Sequence, residues 1–167
     1  MERVAVIGNS GGGKSVLARK LAAKTGLPLF EIDKFLWRPG WQLAPAEEFA
    51  AEHARIVALH RWIMDGLGGP ESVPARLERA TDIVLIDLPL WAHFWLAAER
   101  QIAWSKGTIE HPPAGESEMP STEGLFRTMW EIDRDWMPEV RRLVDAEEKR
   151  GKRIARLTSL GALDAFA

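Results

Sequence analysis

Short apolar runs follow one another along the chain, separated by longer stretches in which apolar and polar residues mix. Residues 3–7 (RVAVI) and 83–88 (IVLIDL) are almost continuously apolar, a pattern typical of strands that are buried on both faces of a sheet. Similar runs predict three further strands, at residues 29–33, 62–65 and 153–158. Because these runs are nearly continuous and do not alternate with polar residues, they indicate a parallel sheet.

The segments between the runs carry apolar residues at helical spacing. Residues 14–24 (KSVLARKLAAK) predict a helix that ends near Gly26, because glycine commonly ends helices and Pro28 prevents continuation. Further helices are predicted at residues 46–59 and 91–104, and from residue 162. Strands and helices that alternate in this way predict an α/β fold in a single domain, residues 1–167, with helices on both faces of the sheet.

A glycine-rich loop is predicted between the first strand and the first helix. Its sequence, GNSGGGKS, matches the P-loop pattern G-x-x-x-x-G-K-[ST], in which glycines let backbone N–H groups approach a triphosphate. The following helix directs its positive N-terminus at the same anion. The residues predicted to bind ATP are Gly8, Asn9, Ser10, Gly11, Gly12, Gly13, Lys14, Ser15 and Val16. We expect Lys14 to contact the outer phosphates and the Ser15 hydroxyl to ligate Mg²⁺.

Magnesium at such a loop is usually accompanied by an acidic residue at the end of a neighbouring strand. The chain offers Asp65 in WIMDG and Asp87 in IVLIDLP. Asp65 is preferred because Gly66, directly after it, would leave space beside the phosphates. Asp87 is the alternative, and either aspartate could instead cap a helix or form a turn.

An acceptor site is predicted after the second strand. Glu31 and Asp33 are two residues apart at its end, so we expect them to point to the same side. A carboxylate there could bind an acceptor hydroxyl and take its proton, or it could be structural. Trp37 and Trp41 could stack on a planar substrate or simply pack.

Arginines in the C-terminal third could stabilise a transferring phosphoryl group. Arg127, Arg134 and Arg141 are spaced by seven, so on a continuous helix they drift by only about 20° per step and share a face. Pro138 would interrupt such a helix. The alternative is a solvated face paired with nearby acidic residues. Arg100 and Arg134 are the preferred candidates for this catalytic role.

Three longer segments together resemble a known family. GNSGGGKSVLARKLAAKTGLPLFEIDKFLWRPGW, WIMDG and DIVLIDLP resemble the small bacterial P-loop proteins of the DNA topology modulation family, which are similar to adenylate kinase. The resemblance implies a three-layer P-loop fold with a five-stranded parallel sheet in the order 2-3-1-4-5. It also implies an acceptor-binding insert at about 34–61, with Asp33 beside the acceptor pocket, and a lid at about 104–124. Residues 108–124 contain no Arg or Lys, whereas the family's lid carries arginine.

Composition excludes several kinds of site and partner. The chain has no cysteine, which excludes disulfides, thiolate zinc sites and cysteine nucleophiles. The net charge of −2 does not favour nucleic acid as a partner. No apolar run approaches the roughly 18 residues that cross a bilayer, and no secretory signal is evident, so we expect a cytoplasmic protein, monomeric or homodimeric.

These observations lead to one preferred function and an alternative. We expect a magnesium-dependent kinase that moves the γ-phosphoryl group of ATP to a small acceptor. Arg38, Arg55 and Arg61 would suit a nucleotide and Asp33 a hydroxyl compound, so the acceptor stays open. The alternative is a nucleotide-binding regulatory protein or a P-loop ATPase without a small-molecule acceptor.

Overall fold

The first strand lies in the middle of a five-stranded sheet. The computed structural model describes residues 1–112 and 118–166. The strands of this sheet are β1 (Arg3–Gly8), β2 (Leu29–Glu31), β5 (Trp62–Asp65), β6 (Asp82–Ile86) and β7 (Arg153–Leu157). They are all parallel and lie in the order β2-β5-β1-β6-β7. Counted along the five strands this is 2-3-1-4-5, so the predicted fold class and strand order are confirmed.

Helices cover both faces of the sheet because both faces of β1 are apolar. Val4 and Val6 pack against α1 (Lys14–Thr25), α5 (Leu90–Ser105) and α8 (Leu160–Phe166). Ala5 and Ile7 point to the opposite face, as the two-residue period of a strand requires. The helices on that face are α3 (Ala46–Val57), α4 (Val73–Arg79) and α7 (Met137–Lys149). All four β1 side chains are fully buried, which explains the continuous apolar run in the sequence.

The remaining elements lie at the carboxyl edge of the sheet or between the helices. A short helix and a two-stranded hairpin follow β2, and a 3₁₀ turn (Pro70–Ser72) precedes α4. They are α2 (Asp33–Leu36), β3 (Trp37–Arg38) and β4 (Gln42–Leu43). Helix α6 (Thr122–Glu131) continues through a π-helix (Ile132–Trp136) into α7. Among the described helices, none combines the length and apolar character needed to span a bilayer.

The second strand is shorter than predicted, which changes the setting of Asp33. The backbone N–H of Ile32 still donates to the carbonyl of Asp65, but those of Phe35 and Leu36 donate back to the carbonyl of Ile32. Asp33 therefore begins α2. The prediction that Glu31 and Asp33 lie two apart on one strand face is wrong, because the chain turns into a helix between them.

The C-terminal arginines do not lie on one continuous helix. The π-helix, with its i→i+5 hydrogen bonds, separates α6 from α7 and breaks the seven-residue register of Arg127, Arg134 and Arg141. Pro138 lies in the first turn of α7, where proline is tolerated, so it begins that helix. Of the predicted lid, residues 104–124, the part at 113–117 lies outside the described residues.

Candidate functional site

The glycine-rich loop joins the end of β1 to the start of α1. Gly11 and Gly13 have φ angles of 71° and 77°, in the left-handed region that favours glycine. A Cβ atom at Gly8 would lie only 2.4 Å from the carbonyl oxygen of Ile86, so β1 and β6 leave no room for a side chain there. The backbone of the loop is thus held at the carboxyl edge of the sheet, where the N-terminus of α1 begins.

Two side chains anchor the outside of this loop. Asn9 is buried, and its side-chain amide donates to the carbonyl of Met129 at 2.7 Å while its Oδ1 accepts from the N–H of Ser10 at 2.7 Å. On the other side, Nδ1 of His93 lies 3.0 Å from the carbonyl oxygen of Ser10. Burial and the nearby Lys14 charge lower the pKa of His93, which favours its neutral form. The sequence contains no local signal for either contact, because Met129 and His93 are far away in the chain.

Lys14 lies at the inner side of the loop, in a buried environment. Its ammonium donates to the carbonyl of Asn9 at 2.7 Å. Burial lowers the pKa of Lys14, and the charges of Asp65 and Asp33 act against that shift. The lysine therefore shares one electrostatic environment with two carboxylates, one at the end of β5 and one at the start of α2.

Asp65 and Ser15 together fit a hard cation. Asp65 is 2% exposed, and its Oδ1 has no hydrogen-bond partner among residues 1–112 and 118–166. Burial raises the pKa of Asp65 to about 6, while Lys14 and a hydrogen bond with the Ser15 hydroxyl lower it. A buried carboxylate oxygen left unpaired beside a hydroxyl supplies the oxygen ligands that Mg²⁺ prefers.

The carboxylate of Asp87 has a different environment from that of Asp65, because it is paired with an arginine. Nε of Arg141 donates to Oδ1 of Asp87 at 2.9 Å, so this carboxylate belongs to an ion pair.

Gly66 directly follows Asp65 and lies against Ile32. A Cβ atom at Gly66 would lie 2.9 Å from Cβ of Ile32. The glycine therefore makes room for the Ile32 side chain, and the space beside the phosphates stays a prediction.

Asp33 and Arg100 lie near Lys14 but form no ion pair with any residue in the described ranges. Burial raises the pKa of Asp33, and Lys14, Arg100 and a hydrogen bond from Trp37 lower it. Arg100 comes from α5, and its Nε is buried without a hydrogen-bond partner in the part of the chain that is described. Burial lowers the pKa of Arg100, and the charge of Asp33 opposes this. The structure thus brings Lys14, Asp33, Asp65 and Arg100 together.

Arg76 also lies near this cluster, although the sequence did not indicate it as a site residue. Arg76 in α4 is fully buried, and its Nη2 donates to the carbonyl of Leu67 at 2.8 Å. Burial lowers its pKa to about 10, and the charge of Asp65 opposes that shift. Arg76 holds the chain just beyond Asp65. Its context, PARLER, resembles an exposed helix, so only the packing of α4 reveals it.

Arg134 lies at the surface, and the two tryptophans of the predicted insert pack against each other. Arg134 is exposed, bonds Asp135 at 2.6 Å and lies over the Trp130 ring at 4.5 Å. It is absent from the charges that shift the pKa of Lys14. The Trp37 and Trp41 rings lie 5.9 Å apart and pack edge to face.

The fold places a loop with the P-loop pattern between the first strand and the first helix of a parallel sheet, and solved structures agree on the fold. A shikimate kinase from Bacteroides thetaiotaomicron matches with a TM-score of 0.58 and 11% identity, over 98% of this chain and 92% of that one. A shikimate kinase from Acinetobacter baumannii, solved with shikimate, matches with a TM-score of 0.59 and 11% identity, over 99% and 88%. At such identity the likeness concerns the fold alone. No family model and no curated protein matches the chain, so its resemblance to the DNA topology modulation family stays a prediction.

Proposed function

We propose that the protein is a magnesium-dependent kinase that transfers the γ-phosphoryl group of ATP to a hydroxyl group of a small molecule. The observation that carries this proposal is the half-buried carboxylate of Asp33, which lies in the same electrostatic environment as Lys14 and Arg100 without forming an ion pair among the described residues. Binding and hydrolysis of ATP would need only the loop, Ser15 and Asp65. A second carboxylate, placed beside the P-loop lysine, suits an acceptor.

The donor half of the reaction uses the loop and β5. The amides of the loop and the N-terminus of α1 would hold the triphosphate, and Lys14 would exchange the Asn9 carbonyl for phosphate oxygens. Ser15 and Asp65 would hold Mg²⁺, which supplies positive charge to the two outer phosphates when bound. The unpaired Oδ1 of Asp65 supports this assignment.

The acceptor half uses Asp33. The acceptor hydroxyl would donate to the Asp33 carboxylate and lose its proton there as its oxygen forms the new bond to the γ-phosphorus. The bond from that phosphorus to the oxygen bridging to the β-phosphate breaks, and ADP leaves. The raised pKa of Asp33 makes it a better proton acceptor than an exposed aspartate.

The arginines of the insert support a hydroxyl acceptor over a nucleoside monophosphate. Arg38 pairs with Glu48, and Arg55 bonds Glu52 at 2.7 Å, both on the protein surface. Arg61 is also exposed. A phosphate acceptor would need such cations directed into the site and would be repelled by Asp33.

Arg100 is proposed to neutralise the charge that develops on the transferring group, because it faces Asp33 and Lys14. The sequence assigns the same role to Arg134. That side chain is paired with Asp135 and would reach the phosphates only if the pair opened, so we propose a smaller contribution from it than from Arg100.

A panel assay tests the proposal. The protein is incubated with Mg-ATP and sugars, sugar acids, nucleosides or nucleoside monophosphates, and ADP is measured. We expect ADP formation that depends on a hydroxyl compound and disappears in Lys14→Ala. Asp33→Asn should lose at least about 100-fold in rate while it still binds ATP. Tight ATP binding without acceptor-dependent turnover across a broad panel would refute the kinase.

That negative outcome would favour the second candidate, a nucleotide-binding regulatory protein or an ATPase without an acceptor. The observation on its side is the absence of Arg and Lys from residues 108–124, where a kinase lid usually carries phosphate-binding arginine.

A further inference from the structure

Trp41 has an unusual backbone conformation. It ends the three-residue turn of the hairpin, in which Arg38 pairs with Gln42. Its φ is 56°, and among the residues described it is the only non-glycine residue with a positive φ. A bulky side chain in this region strains the backbone, and such strain persists only where surrounding contacts impose it. The contacts that impose it should therefore have a role.

Those contacts join the predicted insert to both ends of the predicted lid. The indole N–H of Trp41 donates to the carbonyl of Glu118 at 3.1 Å, just before α6. Its ring lies 6.2 Å from that of Trp104, near the end of α5. The third neighbour, Trp37, hydrogen-bonds to Asp33. A chain of contacts thus runs from the proposed acceptor carboxylate through two tryptophans to Glu118.

The segment after Glu118 is also held from α5. Gln101, next to Arg100 in the sequence, donates through its side-chain amide to the carbonyl of Pro120 and to the hydroxyl of Thr122, both at 3.0 Å. Residues 118–122 are therefore fixed on one side by α5 and on the other by Trp41. Arg100, whose charge lowers the pKa of Asp33, directly precedes Gln101 in α5, and Trp37, which contacts Trp41, hydrogen-bonds to Asp33, so both attachments adjoin residues of the proposed acceptor site.

We propose that Trp41 is a positioning residue that holds residues 118–122 against the insert and thereby keeps water from replacing the acceptor beside Asp33. The role rests on the proposed function, because excluding water matters only if a phosphoryl group is transferred. The Trp41 ring packs against Trp37 and Trp104, and its N–H donates to the carbonyl of Glu118. Trp41 thus contributes to the enclosure of the site by packing, which is one of the two roles that the sequence left open for it.

Trp41→Phe separates this role from simple packing, because it keeps a ring and removes the N–H donor. The first readout is cleavage by a glutamate-specific protease after Glu118, followed by mass spectrometry without nucleotide. We expect cleavage about fivefold faster, the factor that corresponds to about 1 kcal/mol for one lost hydrogen bond. The second readout is ATP hydrolysis without acceptor, which should rise relative to the wild type while Mg-ATP affinity stays within about twofold.

Controls make the outcomes decisive. Trp91→Phe changes a tryptophan that is 64% exposed and should move neither readout. Trp41→Gly, which relieves the positive φ, should fold and increase both readouts further if Trp41→Phe proves unstable. Unchanged cleavage and unchanged hydrolysis in both Trp41 variants would overturn the proposal. Faster cleavage without any rise in hydrolysis would likewise refute the water-excluding role, and absent ATP binding in the wild type would refute the kinase instead.

Discussion

The side-chain amide of Asn9 donates to the backbone carbonyl of Met129 across 120 positions of sequence, at a distance of 2.7 Å. This hydrogen bond ties the P-loop to α6, three residues before the π-helix begins. The same side chain accepts from the N–H of Ser10, so one buried amide determines the outer path of the loop. The conformation that would receive a triphosphate thus depends on a helix from the C-terminal third of the chain.

Asn9→Ala should therefore destabilise the protein and weaken nucleotide binding together. It leaves the N–H of Ser10 without its side-chain partner and removes one of the two donors to the carbonyl of Met129, which also accepts from the N–H of Ile132; the loss costs roughly 1–3 kcal/mol. Urea unfolding measures the loss of stability, and titration with Mg-ADP measures the affinity. The control is Gln42→Ala, which removes an exposed amide and should change the free energy of unfolding by less than about 0.5 kcal/mol. Equal stability and affinity for Asn9→Ala and wild type would contradict the anchoring role.

Gly12 and His93 should show coupled effects. A Cβ atom at Gly12 would lie 2.7 Å from Cε1 of His93, so Gly12→Ala must displace the ring or the loop. We expect Gly12→Ala to lose about tenfold or more in Mg-ATP affinity, and Gly12→Ala combined with His93→Ala to recover part of that loss. Isothermal titration of the four proteins measures the coupling.

Gly161→Ala is the matched control, because no atom lies within 4 Å of its added Cβ. A double variant that binds no better than Gly12→Ala would show that the clash with His93 is not the cause.

Asp65→Asn should stabilise the protein at neutral pH while it impairs magnesium binding. Because burial raises the pKa of Asp65 from 3.8 to about 6, the folded state binds this proton more tightly than the unfolded state does. The ionised carboxylate therefore lowers the free energy of unfolding progressively as the pH rises from about 4 to 6, and the full loss persists above pH 6. The free energy of unfolding of Asp65→Asn should exceed that of the wild type by roughly 1–3 kcal/mol at pH 7.5 and should be almost equal to it near pH 4.

Urea unfolding at the two pH values measures this difference. In the same variant, the Mg²⁺ concentration that gives half-maximal ATP binding should rise by about tenfold or more. Asp87→Asn is the control for that second measurement, because its carboxylate pairs with Arg141 and should leave the Mg²⁺ dependence unchanged. If Asp87→Asn has the larger effect on Mg²⁺, the assignment of the metal to Asp65 is refuted.

Arg100→Ala and Arg134→Ala should differ in their effect on transfer. Arg100 lies close enough to Asp33 and Lys14 to shift their pKa values, so its loss should lower kcat/KM by about 100-fold or more with an acceptor from the panel. Arg134 is exposed and paired with Asp135, so its loss should cost less than about threefold. Similar large losses would indicate that the Arg134 pair opens during the reaction.

The P-loop and the central strands could be predicted because their signals are local. Glycine and lysine spacing over eight residues specifies the loop, and apolar runs of five residues specify strands that are buried on both faces. The strand order followed from a resemblance spread over several segments. The helix that begins after Ile32 was not predicted, because a helix of four residues is too short to show a helical periodicity in the sequence.

The sequence by itself therefore determined that a glycine-rich loop with the P-loop pattern follows a buried strand, since both depend on neighbouring residues. Only the tertiary structure decided which distant groups meet that loop. It placed Asp33, Asp65 and Arg100 near Lys14, paired Asp87 with Arg141, and left Arg134 at the surface. Burial and charge pairing act through space between segments far apart in the chain, and no local pattern records them.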